Sequence, residues 1–124
     1  EPYECPTLTK DARGQHRIEG IGDKLCSLIQ NINNTDFVTL VHDDDAVKAL
    51  KIMRDGIDVL VKMGVNPEVA ETYKDLFGVS GMANIIGAIK MAKYLKLGPG
   101  DNVVTIATDG FDRYHSVIEE LERL

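Results

Sequence analysis

The run Asn102-Val103-Val104-Thr105-Ile106-Ala107-Thr108 leaves a chain like this few folds to choose from. It is apolar without alternation, rich in β-branched residues, and follows directly on the turn signal Gly98-Pro99-Gly100-Asp101. Such a run reads as a strand buried on both faces, the kind found in parallel sheets with helices packed over them. A second short apolar run, Asp36-Phe37-Val38-Thr39-Leu40-Val41-His42, has the same character. Between the two lies helical periodicity. The order loop, strand, helix, helix, helix, strand, helix predicts an α/β fold in three layers, a small parallel sheet covered by helices. Ligands of open α/β sheets gather at the carboxyl ends of strands, and Thr108-Asp109-Gly110 stands there. Asp109 reads equally well as a turn former or helix cap.

The second organising stretch is Phe77-Gly78-Val79-Ser80-Gly81-Met82-Ala83-Asn84. A flexible turn delivers one hydroxyl residue, Ser80, to a helix start. Met82, Ile85, Ile86, Ile89 and Ala92 then recur at helical spacing to about Leu97. Gly81, Gly87 and Ala88 thin the other face, so the helix is expected to be buried on most sides. Ser80 reads in two ways: as the helix cap, or as a side chain aimed at a bound group held above the helix start.

Upstream, residues 1–15 read as an entry loop, with Pro2, Pro6 and Gly14 breaking periodicity. His16-Arg17-Ile18-Glu19-Gly20-Ile21-Gly22-Asp23 reads as a short extended piece running into a Gly-x-Gly turn. Lys24 to Ile32 reads as a short helix or a turn, and Asn31 to Asp36 as a polar loop. After the first strand, Asp43-Asp44-Asp45 places negative charge where a helix N-terminus favours it. Val47, Leu50, Met53, Ile57, Leu60 and Val61 then continue one helix to a stop at Gly64. His42 beside three aspartates suggests a metal, but capping accounts for the carboxylates, so no metal site is assigned. Asn66 and Pro67 open a further helix as cap and first residue, running to Leu76 or Phe77. Ser116 to Leu124 reads as a closing amphipathic helix.

Composition narrows the function classes. The chain has 124 residues, 27% of them charged, and a formal net charge of −6. One domain is the expectation, and clustered Lys and Arg for nucleic acid or an anionic membrane are lacking. No apolar run approaches the roughly 20 residues of a membrane span. Cys5 and Cys26 form no Cys-x-x-Cys pair, which fits a reducing, cytoplasmic setting.

Three pieces together resemble a known family. His16-Arg17-Ile18-Glu19-Gly20-Ile21-Gly22 resembles the Glu/Gln-Gly-Ile-Gly segment of cysteine synthases and cystathionine β-synthases. Gly78-Val79-Ser80-Gly81 resembles their Gly-x-Ser-(Ser/Ala/Gly) turn. The stretch from Val103 through Thr108-Asp109-Gly110-Phe111-Asp112-Arg113-Tyr114 resembles their late strand and its Asp-Ser-Gly-Glu-Arg-Tyr ending. The pieces stand in the family's order, with a Val-x-Asp-Asp-(Asp/Glu)-Ala helix start at Val41 to Ala46 between them. The resemblance spans residues 16–116. It is to the fold type II, tryptophan synthase β-like, pyridoxal phosphate enzymes.

That resemblance implies roles. Ser80 would meet the pyridine nitrogen of pyridoxal phosphate, and a neutral hydroxyl there favours β-elimination and β-replacement over transamination. Thr108 and Asp109 would flank the ring, with Gly78 at the same turn. Gly20, Ile21 and Gly22 would line the cofactor and amino-acid pocket, with Glu19 and Gly20 touching substrate. The family's Schiff-base lysine, in a Ser-x-Lys-x-Arg-type segment, and its Gly-rich phosphate loop have no counterpart in this sequence. Lys10, Lys24, Lys48, Lys51, Lys62, Lys74, Lys90, Lys93 and Lys96 all lack that context. The stretch Val59 to Phe77 is longer than the family norm. The chain is therefore expected to be the C-terminal part of a larger enzyme, with residues 16–124 forming part of its cofactor-binding large domain. It would carry no catalytic residue of its own and would be inactive alone. The whole would act on a small amino acid such as serine, O-acetylserine or threonine, as a homodimer that covers the apolar faces left bare here. The alternative is a stand-alone, non-catalytic α/β module that binds a ligand or partner near Ser80.

Overall fold

The computed structural model describes residues 32–108 together with Gly110, Glu119 and Arg123. The chain divides into two compact units, Glu1–Leu40 and Val41–Leu124. The described part of the first is a 3-10 turn, Ile32–Asn34, followed by residues 35–40 without regular structure. The second holds four helices: α1 (Asp43–Asp55), α2 (Ile57–Lys62), α3 (Pro67–Thr72) and α4 (Val79–Tyr94).

Helix α1 starts where the acidic cluster predicts, but its cap is His42. The ring Nδ1 accepts a hydrogen bond from the Asp44 backbone N–H at 3.2 Å. Asp43, Asp44 and Asp45 fill the first turn, next to the helix's partial positive charge. The buried stripe Ala46, Val47 and Leu50 repeats at steps of one and three along one face. The sequence predicts one helix to Gly64, whereas the structure breaks it at Gly56. The Gly56 N–H closes α1 on the Ile52 carbonyl at 2.9 Å, and its own carbonyl accepts from Val59 and Leu60 to open α2. A Cβ on Gly56 would lie 2.7 Å from the Ile52 carbonyl oxygen, so glycine is sterically required. Apolar periodicity continues across the break and therefore hides it.

Gly64 does end a helix, namely α2. The Val65 N–H reaches back to the Leu60 carbonyl and the Gly64 N–H to that of Val61, both at 3.0 Å. This is the Schellman pattern, with Gly64 at φ +99° in the left-handed position. Asn66 then caps α3 as expected, its Oδ1 accepting from the Glu68 N–H at 2.8 Å, with Pro67 in the first turn. The helix stops at Thr72, earlier than the sequence suggests, and turns occupy residues 73–76. Thr72 Oγ1 donates to the Val69 carbonyl at 2.7 Å, a local bond that competes with helix propagation. The rings of Tyr73 and Phe77 meet with centroids 5.8 Å apart, bracing the turn that leads to α4.

Helix α1 packs on α4 and on α2, and α2 packs on α3. The core of this unit is Ala46, Val47, Leu50, Leu60, Ala70, Val79 and Met82. Burial of α4 is confined to its first turn, Val79 to Met82. Farther along, Ile89 is 49% exposed. The expectation of a helix buried on most sides therefore fails, because residues 83–88, 91 and 92 are only half-buried and 89, 90, 93 and 94 are exposed. The helix ends in a second Schellman turn, with the Leu97 N–H on the Ala92 carbonyl and Lys96 at φ +55°.

The predicted turn at residues 98–101 is present. The Asp101 N–H donates to the Gly98 carbonyl at 3.0 Å, and Asp101 Oδ2 accepts from the Gly98 N–H at 2.7 Å. The two apolar runs are not strands among the described residues. Phe37, Val38, Val103, Val104 and Ile106 are exposed, with Val104 at 91%. A strand exists through the N–H and C=O groups of a neighbour. Neither run has a laddered neighbour among the described residues, so the predicted parallel sheet is absent from this part of the chain. The closing helix predicted at Ser116 to Leu124 lies outside the described residues except at Glu119 and Arg123.

Candidate functional site

The site forms where α4 begins. Gly78 is the N-cap, with φ −92° and ψ −179° and no side-chain capping bond. Its carbonyl accepts from the Met82 N–H at 3.0 Å. Ser80 is the second residue inside the helix, two places after the N-cap, so the capping alternative is overturned. The side chain is nonetheless buried, 8% exposed, between the core residues Val79 and Met82. A buried hydroxyl in the first turn, in a position where capping is not its task, is the main chemical feature of the site.

Thr108 comes to the same turn. A Cβ built on Gly81 would lie 3.6 Å from Thr108 Oγ1 and 3.8 Å from its backbone nitrogen. The small residue after Ser80 therefore lets the end of the 102–108 run approach the helix. One turn on, the Asn84 side-chain amide donates to the Ile106 carbonyl at 3.0 Å. Helix and run are thus joined across 22 residues of sequence.

The electrostatics are those of neutral hydroxyls. No acidic residue stands in the first turn of α4, in contrast to the three at the start of α1. Gly78, Ser80 and Thr108, singled out from sequence, are brought to one place. Glu19, Gly20, Ile21, Gly22 and Asp109 lie outside the described residues, as do Cys5 and Cys26. Asn84 is a further residue of the site that no motif in the sequence marks. The signal for it is a lone amide inside an otherwise apolar stretch of α4.

Other features of the surface do not extend this site. A shallow depression of about 450 Å³ is lined by Lys48, Lys51, Ile52, Asp55 and Gly56, none of them a candidate residue. Among the described residues no group of three or more His, Cys, Asp or Glu side chains is placed to hold a metal. No described helix is long and apolar enough to cross a membrane.

Comparison with known proteins supplies the context. Cysteine synthase B of Campylobacter jejuni is 30% identical over 116 residues, which cover 94% of this chain and 32% of that protein. The chain resembles the C-terminal part of a cysteine synthase. A cysteine synthase of Staphylococcus aureus is 31% identical over 116 residues, again 94% of this chain and 32% of the relative. The chain thus spans 32% of the length of these cysteine synthases. The cysteine synthase likeness leaves out too little of the chain to miss any of α1 to α4 or Thr108. No protein-family model matches the chain, and no solved structure matches it.

Proposed function

We propose that this chain forms part of the cofactor-binding domain of a pyridoxal phosphate enzyme of the cysteine synthase type. That enzyme catalyses β-elimination or β-replacement on a small L-amino acid. The observation that carries the reading is Ser80, a buried neutral hydroxyl in the first turn of α4 with Thr108 drawn up beside the next residue. The likeness to cysteine synthases supports it.

The residues fit the cofactor's ring. For β-elimination and β-replacement the ring nitrogen suits a neutral partner that leaves it largely unprotonated, and α4 offers the Ser80 hydroxyl with no carboxylate in its first turn. When bound, pyridoxal phosphate supplies the electron sink for carbanion chemistry at the amino acid. Ser80 would bond the ring nitrogen, Thr108 and Asp109 would flank the ring, and Gly78 would stand at the same turn. Gly20, Ile21 and Gly22 line the pocket, with Glu19 and Gly20 toward substrate. The lysine that attaches the cofactor and the loop that grips its phosphate come from sequence beyond the part that matches here. The apolar runs 37–42 and 102–108 become strands of an α/β sheet when that remainder supplies neighbours. The assembly is a cytoplasmic homodimer.

The decisive experiment is Ser80→Asp in the complete protein. A carboxylate at that position raises the protonation of a neighbouring basic nitrogen by about 1–3 pKa units. Cofactor absorption is expected to change, and turnover of O-acetylserine to fall by about tenfold or more, since each pKa unit is a tenfold change in protonation. Unchanged spectrum and turnover would overturn the assignment of Ser80.

A further inference from the structure

Residues 106–108 meet α4 at two heights. Asn84 binds the Ile106 carbonyl, and Gly81 abuts Thr108. Positions 81 and 84 share one helix face. The run therefore passes α4 in the opposite direction, so that its later residue arrives at the helix's earlier turn. The spacing is consistent: three helical residues rise about 4.5 Å, and two residues of extended chain span up to about 7 Å.

Residues 101–108 are exposed, and sidechain packing among the described residues does little to fix how far they slide along α4. A directional bond does fix it. The Asn84 amide holds the Ile106 carbonyl at one height on α4, and a slip of one residue would turn that carbonyl away and carry Thr108 past Gly81. Apolar neighbours on α4, Met82, Ile85 and Ile86, offer no such registration.

We infer that Asn84 is a positioning residue, whose amide sets the register of residues 106–108 so that the Thr108 hydroxyl stands beside Ser80 at the cofactor ring. This rests on the pyridoxal phosphate reading of the site. Asn84 touches neither cofactor nor substrate. It acts through Thr108.

The test uses the complete, pyridoxal phosphate-loaded protein. Asn84→Asp keeps the shape and removes the donor. Its expected signature is a changed absorption and emission of the bound cofactor, with affinity for added pyridoxal phosphate weakened about fivefold, the size of one lost hydrogen bond. Asn84→Gln keeps the donor on a longer arm and is expected to show a smaller change of the same kind. Ser80→Ala, measured alongside, reports on the site itself. If Ser80→Ala changes the cofactor spectrum and both Asn84 variants leave it as in the parent, the positioning role is overturned while the site stands. A lowered melting temperature with an unchanged spectrum overturns it as well, because Asn84 would then be structural only. If Ser80→Ala also leaves spectrum and affinity unchanged, the site reading itself fails. Should Asn84→Asp not fold, Asn84→Gln alone decides: a parental spectrum overturns the proposal.

Discussion

Gly81 faces Thr108 across a gap that one methyl group would fill without crowding, with 3.6 Å left to the threonine hydroxyl. Gly81 lies inside α4, where alanine is the better helix former by about 1 kcal/mol. Gly81→Ala is therefore expected to hold or raise the melting temperature. Gly81→Leu should lower it, because the longer side chain must displace residues 106–108 from the helix. Thermal melts followed by circular dichroism check both. A destabilised alanine variant would mean that Thr108 lies closer in solution than described.

The two Schellman turns make opposite predictions. Gly64 has a positive φ and open space around it, so Gly64→Ala costs about 1–2 kcal/mol through backbone strain alone. Lys96 occupies the equivalent place after α4 at φ +55°. Lys96→Gly is expected to stabilise by about 1 kcal/mol, since glycine adopts this conformation without the Cβ penalty. Urea titrations of the two variants should move in opposite directions. Movement in the same direction would show that one of these helix ends is built differently.

Leu50 is 1% exposed and is the last residue of the buried stripe on α1. Its truncation to alanine leaves a cavity between packed helices and should cost about 2–5 kcal/mol. The loss should appear as faster amide exchange throughout α1 and α4 together. Exchange that quickened in α1 alone would argue that α4 is held by something other than this contact.

Gly56→Ala tests a different kind of constraint. Its Cβ would fall 2.7 Å from a backbone oxygen, which has no side-chain freedom to yield. A cost of about 1–3 kcal/mol is expected, read as a lower denaturant midpoint. A neutral result would mean that α1 and α2 join as the single helix the apolar pattern describes.

What the sequence conveyed depended on how local the cause was. Asn66 and Pro67 announce α3 because cap and first turn are set by adjacent residues. His42 is hidden as a cap because an imidazole is outside the usual Ser, Thr, Asp and Asn caps, and the three aspartates beside it account for the helix start by themselves. Ser80 was legible as the residue of interest but not as a non-cap, since the helix boundary is set two residues earlier by the extended backbone of Gly78. The apolar runs at 37–42 and 102–108 carried strand character without carrying a strand, because pairing is a property of two segments. Asn84 drew no reading because its partner carbonyl is 22 positions away, beyond any local pattern.

The exposed stretch Asn102 to Thr108 has one more consequence. It contains no charge and no proline, and its Val103, Val104 and Ile106 are open to solvent. Segments of that make-up readily stack on copies of themselves. A cell making this protein thus faces a race in kinetics. Heat, dilution of a partner or slow synthesis would each lengthen the time for which the run is open to such stacking.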